Sequence, residues 1–170
     1  MLIRKISVFL HATFHTQDRY LAFEMNIEQN KNIRERWISS LFELANFDYQ
    51  KRLWNAEIEN KVGDFTECVC TYFDDLDLDN GYASYISEGI ISEKDANIVA
   101  EMHTEFRNYT ERPEKRNLTD KKVLKDIEWK NFTQLALLTW NRLKIETESK
   151  ELRYLIIELE EDYAKKNIAR

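Results

Sequence analysis

The chain contains little glycine or proline: three glycines and one proline occur in 170 residues. β-Sandwiches, barrels and doubly wound sheets need many tight turns, which these two residue types supply, so the composition argues against all three architectures. So few glycines also exclude a glycine-rich phosphate loop. The 43% of hydrophobic and 12% of aromatic residues can instead form the core of one helical domain.

Cysteine and histidine are also scarce, with two and three residues. Cys68 and Cys70 stand two positions apart in a segment with helical periodicity, so their side chains point to different faces and a disulfide between them is geometrically poor. This favours a reducing, cytoplasmic setting. His11 and His15 have the four-residue spacing of a zinc-binding helix, but they lack its Glu and a third ligand. The sequence therefore predicts no metal and no cofactor, and the absence of a nucleophile motif argues against an enzyme.

No run of apolar residues is long enough to span a bilayer, which takes about 20 residues. The uncharged stretch from Ile6 to Gln17 has twelve residues and includes histidines and threonines, so it is too short and too polar. No small-residue cleavage site follows it, as an export signal would require. Met25 offers an alternative start, so residues 1–24 are expected to be a peripheral N-terminal helix or an extension. We expect no membrane partner.

Lysine and arginine are absent between Val62 and Glu93, although this segment holds eight carboxylates. Its local charge is −8 in a chain whose net charge is −6, so the rest of the chain carries +2. The acidity is therefore concentrated in one segment. The most basic segment, from Arg112 to Lys130, carries only +3 and predicts no nucleic-acid partner.

Hydrophobic periodicity predicts helices along most of the chain. From Asn32 onward, apolar residues follow the three-and-four spacing of one helical face. A second apolar stripe runs from Trp54 to Leu76 and predicts a helix, or two pieces divided near Gly63. Ser92 with an acidic residue three positions later predicts the start of another helix. Together these patterns predict an all-α bundle of five to seven amphipathic helices in one domain over residues 1–170.

The acidic segment fails as a calcium loop. Asp75, Asp77 and Asp79 have the alternate spacing of the first EF-hand ligands. However, Asn80 stands where that loop needs Gly, and Ile86 stands where it needs the bidentate Glu. Carboxylates near a helix C-terminus oppose the helix dipole by roughly 0.3–1 kcal/mol each, and neighbouring like charges add repulsion. Because these carboxylates lower the stability of the segment, we expect them to serve another purpose, and binding of a cationic partner is the purpose that their charge favours.

Five aromatic residues share the segment, and tyrosine is enriched at interface hot spots. An acidic surface that carries tyrosine rings suits a basic protein partner. The alternative is an ordinary acidic surface whose tyrosines lie at the edge of the core. The predicted partner-binding residues are Tyr72, Asp74, Asp75, Asp77, Asp79, Tyr82, Tyr85 and Glu88.

A small acidic helical protein with clustered Asp and Tyr resembles, in character, the bacterial immunity proteins that neutralise a basic nuclease toxin by masking its substrate-binding face. The resemblance rests on size, charge and helix content and not on a shared motif. It implies a non-enzymatic inhibitor with a cognate toxin as its partner. Two alternatives stay open: a regulatory or scaffold domain that self-associates into a homo-oligomer, and a carboxylate- or metal-dependent hydrolase.

Overall fold

The computed structural model describes the backbone of residues 3–168 and the side chains of residues 24–165. Over this backbone the chain forms nine α-helices, one π-helical turn at Thr71–Asp75 and no strand, so the predicted all-α fold is confirmed. Four of the helices have only four to six residues, which is why their number exceeds the five to seven predicted. The helices are α1 (Ile3–Ala45), α2 (Phe47–Trp54), α3 (Phe65–Cys70), α4 (Ala83–Ser87), α5 (Glu93–Thr110), α6 (Pro113–Arg116), α7 (Asp120–Val123), α8 (Ile127–Glu146) and α9 (Lys150–Ile168).

The expectation for residues 1–24 falls largely outside the described side chains, which begin at residue 24. The backbone of residues 3–24 belongs to α1.

Short polar side chains fix the starts of several helices. Ser92 Oγ accepts the Asp95 N–H at 3.0 Å and donates to Asp95 Oδ2 at 2.7 Å, so the predicted start of α5 is confirmed. Asn46, Asp64 and Asp126 accept backbone N–H groups in the first turns of α2, α3 and α8. Each of these side chains satisfies a donor that has no partner within its helix.

The apolar stripe from Trp54 to Leu76 is not one helix. α2 ends at Trp54, residues 55–64 form a loop, and α3 begins at Phe65. Ala56 and Asn60 in this loop have positive φ values of 56° and 58°, which a continuous right-handed helix does not contain. The division does lie near Gly63, where a Cβ would stand 2.8 Å from Leu53 Cδ2. Glycine is therefore needed there for a close approach to α2.

The core lies where α1, α5, α8 and α9 meet, with the most extensive packing of α5 and α1 against α8. Trp37 of α1, Phe106 of α5, Trp129 of α8 and Ile156 of α9 are completely buried. The Phe106 and Phe132 rings are stacked with centroids 5.2 Å apart. Aromatic burial of this extent forms a rigid base for the shorter helices.

Candidate protein-binding surface

The predicted acidic segment begins in α3, continues through the π-helical turn and the loop after it, and ends beyond α4. All five of its predicted carboxylate contacts are exposed. The Asp77 and Glu88 side chains both lie within electrostatic range of Tyr85. We call these carboxylates the acidic surface: Asp74, Asp75, Asp77, Asp79 and Glu88.

The three tyrosines lie beneath this surface and not on it. Tyr72, Tyr82 and Tyr85 are only 0%, 8% and 4% exposed. The expectation that their rings provide exposed contacts for a partner is therefore corrected. The rings pack edge-on against other aromatic side chains of the core: Tyr72 lies 5.2 Å from Phe106, and Tyr82 lies 5.9 Å from Trp37, between ring centroids. Packing against α5 buries Tyr72, packing against α1 buries Tyr82, and Tyr85 packs edge-on against Tyr82 at 5.9 Å.

The hydroxyls of Tyr72 and Tyr82 form part of a buried hydrogen-bonded network. Trp37 Nε1 donates to Tyr82 Oη at 3.1 Å, and Tyr82 Oη lies 2.7 Å from Tyr72 Oη. Tyr72 Oη lies 3.1 Å from His103 Nδ1. Burial raises the pKa of Tyr82 to about 12, so this hydroxyl is protonated at neutral pH. These hydrogen bonds connect α1, the π-helical turn and α5. They also satisfy polar groups that would be costly to bury without a partner.

The backbone of the acidic loop is fixed from below. Leu76 and Leu78 are 3% and 0% exposed and anchor the loop in the core. Tyr85 Oη donates to the Leu76 carbonyl at 2.8 Å. The Arg107 guanidinium donates to the carbonyls of Leu78, at 3.3 Å, and Asp79. The loop therefore holds its acidic side chains on a preorganised backbone.

Ion pairs within the chain leave much of the acidic surface unneutralised. Asp75 pairs with Arg36 at 3.1 Å, and Asp79 pairs with Arg107 at 3.5 Å. Among the side chains of residues 24–165, the other three carboxylates of the acidic surface form no ion pair. Because exposed pairs contribute only about 0–1 kcal/mol, a cationic partner can displace the two that exist.

Tyr85→Phe tests whether the buried hydroxyl holds the loop. We expect the free energy of unfolding to fall by about 1–2 kcal/mol, because the Leu76 carbonyl loses its buried donor. Amide hydrogen exchange should accelerate across residues 76–80. Denaturant unfolding measures the first effect, and exchange monitored by NMR measures the second. Tyr154→Phe is the matched control: Tyr154 is 64% exposed, so its stability change should stay within about 0.5 kcal/mol. Unchanged exchange in Tyr85→Phe would contradict the anchoring role.

The sequence did not single out Glu43, a half-buried carboxyl at a groove of about 530 Å³ on α1. Trp54 Nε1 donates to Glu43 Oε1 at 3.0 Å. Burial raises the pKa of Glu43 above its usual range, although this hydrogen bond acts in the opposite direction. Glu43 stands between the apolar residues Phe42 and Leu44, and this position was the sign in the sequence that its carboxyl could be partly buried. The neighbouring Cys68 is buried and its thiol pKa is raised, so it is a poor nucleophile.

Within residues 24–165, no group of three or more His, Cys, Asp or Glu side chains is arranged to hold a metal ion. His11 and His15 lie outside the described side chains. No helix in the described part of the chain combines the length and the apolar character needed to cross a membrane. Comparisons with protein-family models, curated proteins and solved structures find no match to this chain.

Proposed function

We propose that the chain is a non-enzymatic, cytoplasmic bacterial protein that neutralises a basic, nuclease-type toxin by covering the toxin's cationic face. The supporting observation is the acidic surface, whose exposed carboxylates lie on the π-helical turn, the loop after it and the end of α4. Tyr85 and Arg107 hold the loop, which carries Asp77 and Asp79, from below. Preorganised groups lose little conformational entropy on binding, so their contacts contribute more fully to affinity.

A basic nuclease is the expected partner because its cationic face complements the acidic surface. A nuclease carries Lys and Arg where it holds the phosphates of its substrate. The acidic surface presents carboxylates to such a face and accelerates encounter by electrostatic steering. In this proposal the tyrosines support the loop from within the core, and the carboxylates make the contacts with the toxin.

Asparagine at positions 74, 75, 77 and 79 tests the proposal while preserving side-chain shape. The partner is first captured from the native host with the wild-type chain and identified by mass spectrometry. We expect a basic nuclease whose activity is abolished by an equimolar amount of this chain. For the fourfold Asn variant, we expect the association rate at low salt to fall about tenfold or more, with a weaker salt dependence.

The matched control removes the same number of carboxylates from other exposed positions. Glutamine at positions 101, 105, 158 and 161, all exposed, changes the net charge equally. We expect this control to keep most of the wild-type association rate. If both variants lost the same fraction of the association rate, net charge alone and not the acidic surface would explain the effect. A captured partner that binds the fourfold Asn variant as well as the wild type would overturn the proposal.

The second candidate function is a self-associating scaffold. It is favoured by exposed apolar side chains on α8 and α9, among them Leu138, 68% exposed, and Ile145, 74% exposed. Sedimentation of the chain with and without Leu138→Lys distinguishes this candidate, because only a scaffold that uses this face would form an oligomer that the substitution dissociates.

A further inference from the structure

A cleft of about 210 Å³ lies between α1, α2 with its following loop, and α9, and the acidic surface contributes none of its lining residues. Its walls combine apolar and aromatic side chains with two cations, Arg52 and Lys61, and one carboxylate, Asp162. We call it the aromatic cleft. The side chains used below are Phe42, Tyr49, Arg52, Lys61, Leu159 and Tyr163.

Three rings form the preformed part of this cleft. The ring centroid of Phe42 lies 5.3 Å from that of Tyr49 and 5.6 Å from that of Tyr163, and the two tyrosine centroids are 5.6 Å apart. All three contacts are edge-on, the arrangement that ring quadrupoles favour. Tyr163 Oη also donates to Asp48 Oδ2 at 2.7 Å. The rings therefore fix one another before any ligand arrives.

Cationic groups lie beside the rings. Lys61 Nζ is 5.3 Å from the Tyr49 centroid and donates to Tyr49 Oη at 3.0 Å. Among the described side chains it forms no ion pair, and an ammonium has two further donors. The Arg52 guanidinium carbon lies 5.9 Å from the Tyr163 centroid. The carboxylates near the cleft are Asp162, which lies 3.8 Å from Lys165 Nζ, and Asp48, which accepts from Tyr163. Lys165 Nζ also lies 3.5 Å from Glu161. The place for an anionic group is therefore beside Lys61, whose remaining ammonium donors are available to it.

The volume restricts the ligand to one ring. A dry cavity of roughly 150 Å³ accepts benzene, so the aromatic cleft has room for a single ring with one substituent. We propose that it binds a small aromatic anion: one ring that bears a carboxylate, phosphate or sulfonate group. The ring packs against Phe42 and Leu159, and the anionic group accepts hydrogen bonds from Lys61. A site of this kind serves a soluble metabolite or effector, which is a role separate from the binding of a protein toxin.

Three probes that share one ring and differ in charge test the proposal on the full chain: phenyl phosphate, benzyl alcohol and benzylamine. Two-dimensional NMR follows the signals of Tyr49, Leu159 and Tyr163 during titration. We expect saturable shifts at these residues with phenyl phosphate and an affinity about tenfold higher than for benzylamine. Equal affinities for the three probes, or no saturable shift with phenyl phosphate, would overturn the proposal.

Lys61→Met separates charge from packing, because methionine keeps much of the apolar stem. We expect affinity for phenyl phosphate to fall about fivefold, with little change for benzyl alcohol. Lys61 is exposed, so the variant should retain the wild-type melting temperature. Lys51→Met, at an exposed position of α2 outside the cleft, is the control and should leave the affinity unchanged. Wild-type affinity in Lys61→Met would contradict the assignment of the anionic group to Lys61.

Discussion

Gln50→Leu is expected to lower the free energy of unfolding by about 3–5 kcal/mol. Gln50 is completely buried, and its side chain makes three hydrogen bonds. Nε2 donates to the carbonyls of Glu43 at 2.8 Å and Leu44 at 3.1 Å. Oε1 accepts from Trp129 Nε1 at 2.9 Å. One amide therefore joins the end of α1 to the first turn of α8.

The size of this effect follows from the partners that the substitution would leave behind. Glu43 and Leu44 belong to the last turn of α1, where carbonyls lack the usual donor four residues further on. The Glu43 carbonyl also accepts the Asn46 N–H at 3.3 Å, so leucine would leave the Leu44 carbonyl and the Trp129 N–H without their hydrogen bonds from Gln50. A buried polar group without a partner costs roughly 1–3 kcal/mol. Leucine has a volume close to that of glutamine, so the loss should come from hydrogen bonding and not from a cavity.

Urea unfolding of Gln50→Leu measures the effect, with Gln134→Leu as its control. Gln134 is exposed on α8, so the same chemical change there should alter the stability by no more than about 0.5 kcal/mol. Trp129→Phe removes the indole donor and completes a double-mutant cycle. The two losses should be less than additive, because each single variant breaks the same Gln50–Trp129 bond. An additive cycle would contradict the coupling, and a loss below about 1 kcal/mol would contradict the role of the amide.

Helix starts could be predicted where the responsible chemistry is local. Ser92 acts on a backbone group three residues away, so its capping role is visible in a short stretch of sequence. The loop after Trp54 was harder to predict. Its apolar Ile58 and Val62 extend a helical spacing although Val62 is fully exposed. Periodicity records where apolar residues occur, and the folded chain decides which of them are buried.

In the acidic segment, the exposure of the Asp residues could be predicted from the sequence, but the burial of the tyrosines was harder to predict. A run of exposed Asp residues could be predicted, because charged side chains without partners are rarely buried. Tyr82 and Tyr85 were ambiguous, since tyrosine is common both at interfaces and at core edges. Tyr72 falls on the apolar stripe of its segment, and that spacing was the better guide to its burial. The aromatic cleft draws on α1, α2, α9 and a loop, so only the tertiary fold brings its residues together.

Asp126→Ala is expected to lower the free energy of unfolding by about 3 kcal/mol. Asp126 Oδ1 accepts the Glu128 N–H at 3.0 Å and caps α8. Oδ2 accepts from Tyr109 Oη at 2.9 Å and from the ammonium of Lys115, which is only 8% exposed. Alanine would remove the cap, worth about 1 kcal/mol, and would leave the buried ammonium with only Glu128, at 3.3 Å.

Asp126→Asn separates the cap from the charge, because asparagine caps a helix about as well as aspartate. We expect it to lose roughly half as much stability as the alanine variant. Glu114→Ala, at an exposed position of α6, is the control and should change the stability by no more than about 0.5 kcal/mol. Equal losses in Asp126→Asn and Asp126→Ala would contradict the expected separation of the cap from the charge.

The pH dependence gives an independent check on the charge. Burial raises the pKa of Asp126, but the hydrogen bonds from Lys115, the Glu128 N–H and Tyr109 outweigh burial, so the folded pKa lies below the ordinary value of 3.8. The unfolded state therefore binds the proton more readily. The stabilisation is present in full above the unfolded pKa and is lost as the pH falls through the folded pKa. The stability difference between wild type and Asp126→Asn should accordingly be constant near neutral pH and should shrink below about pH 4. A difference that stays the same in acid would show that the carboxylate charge does not stabilise this junction of α5, α6 and α8.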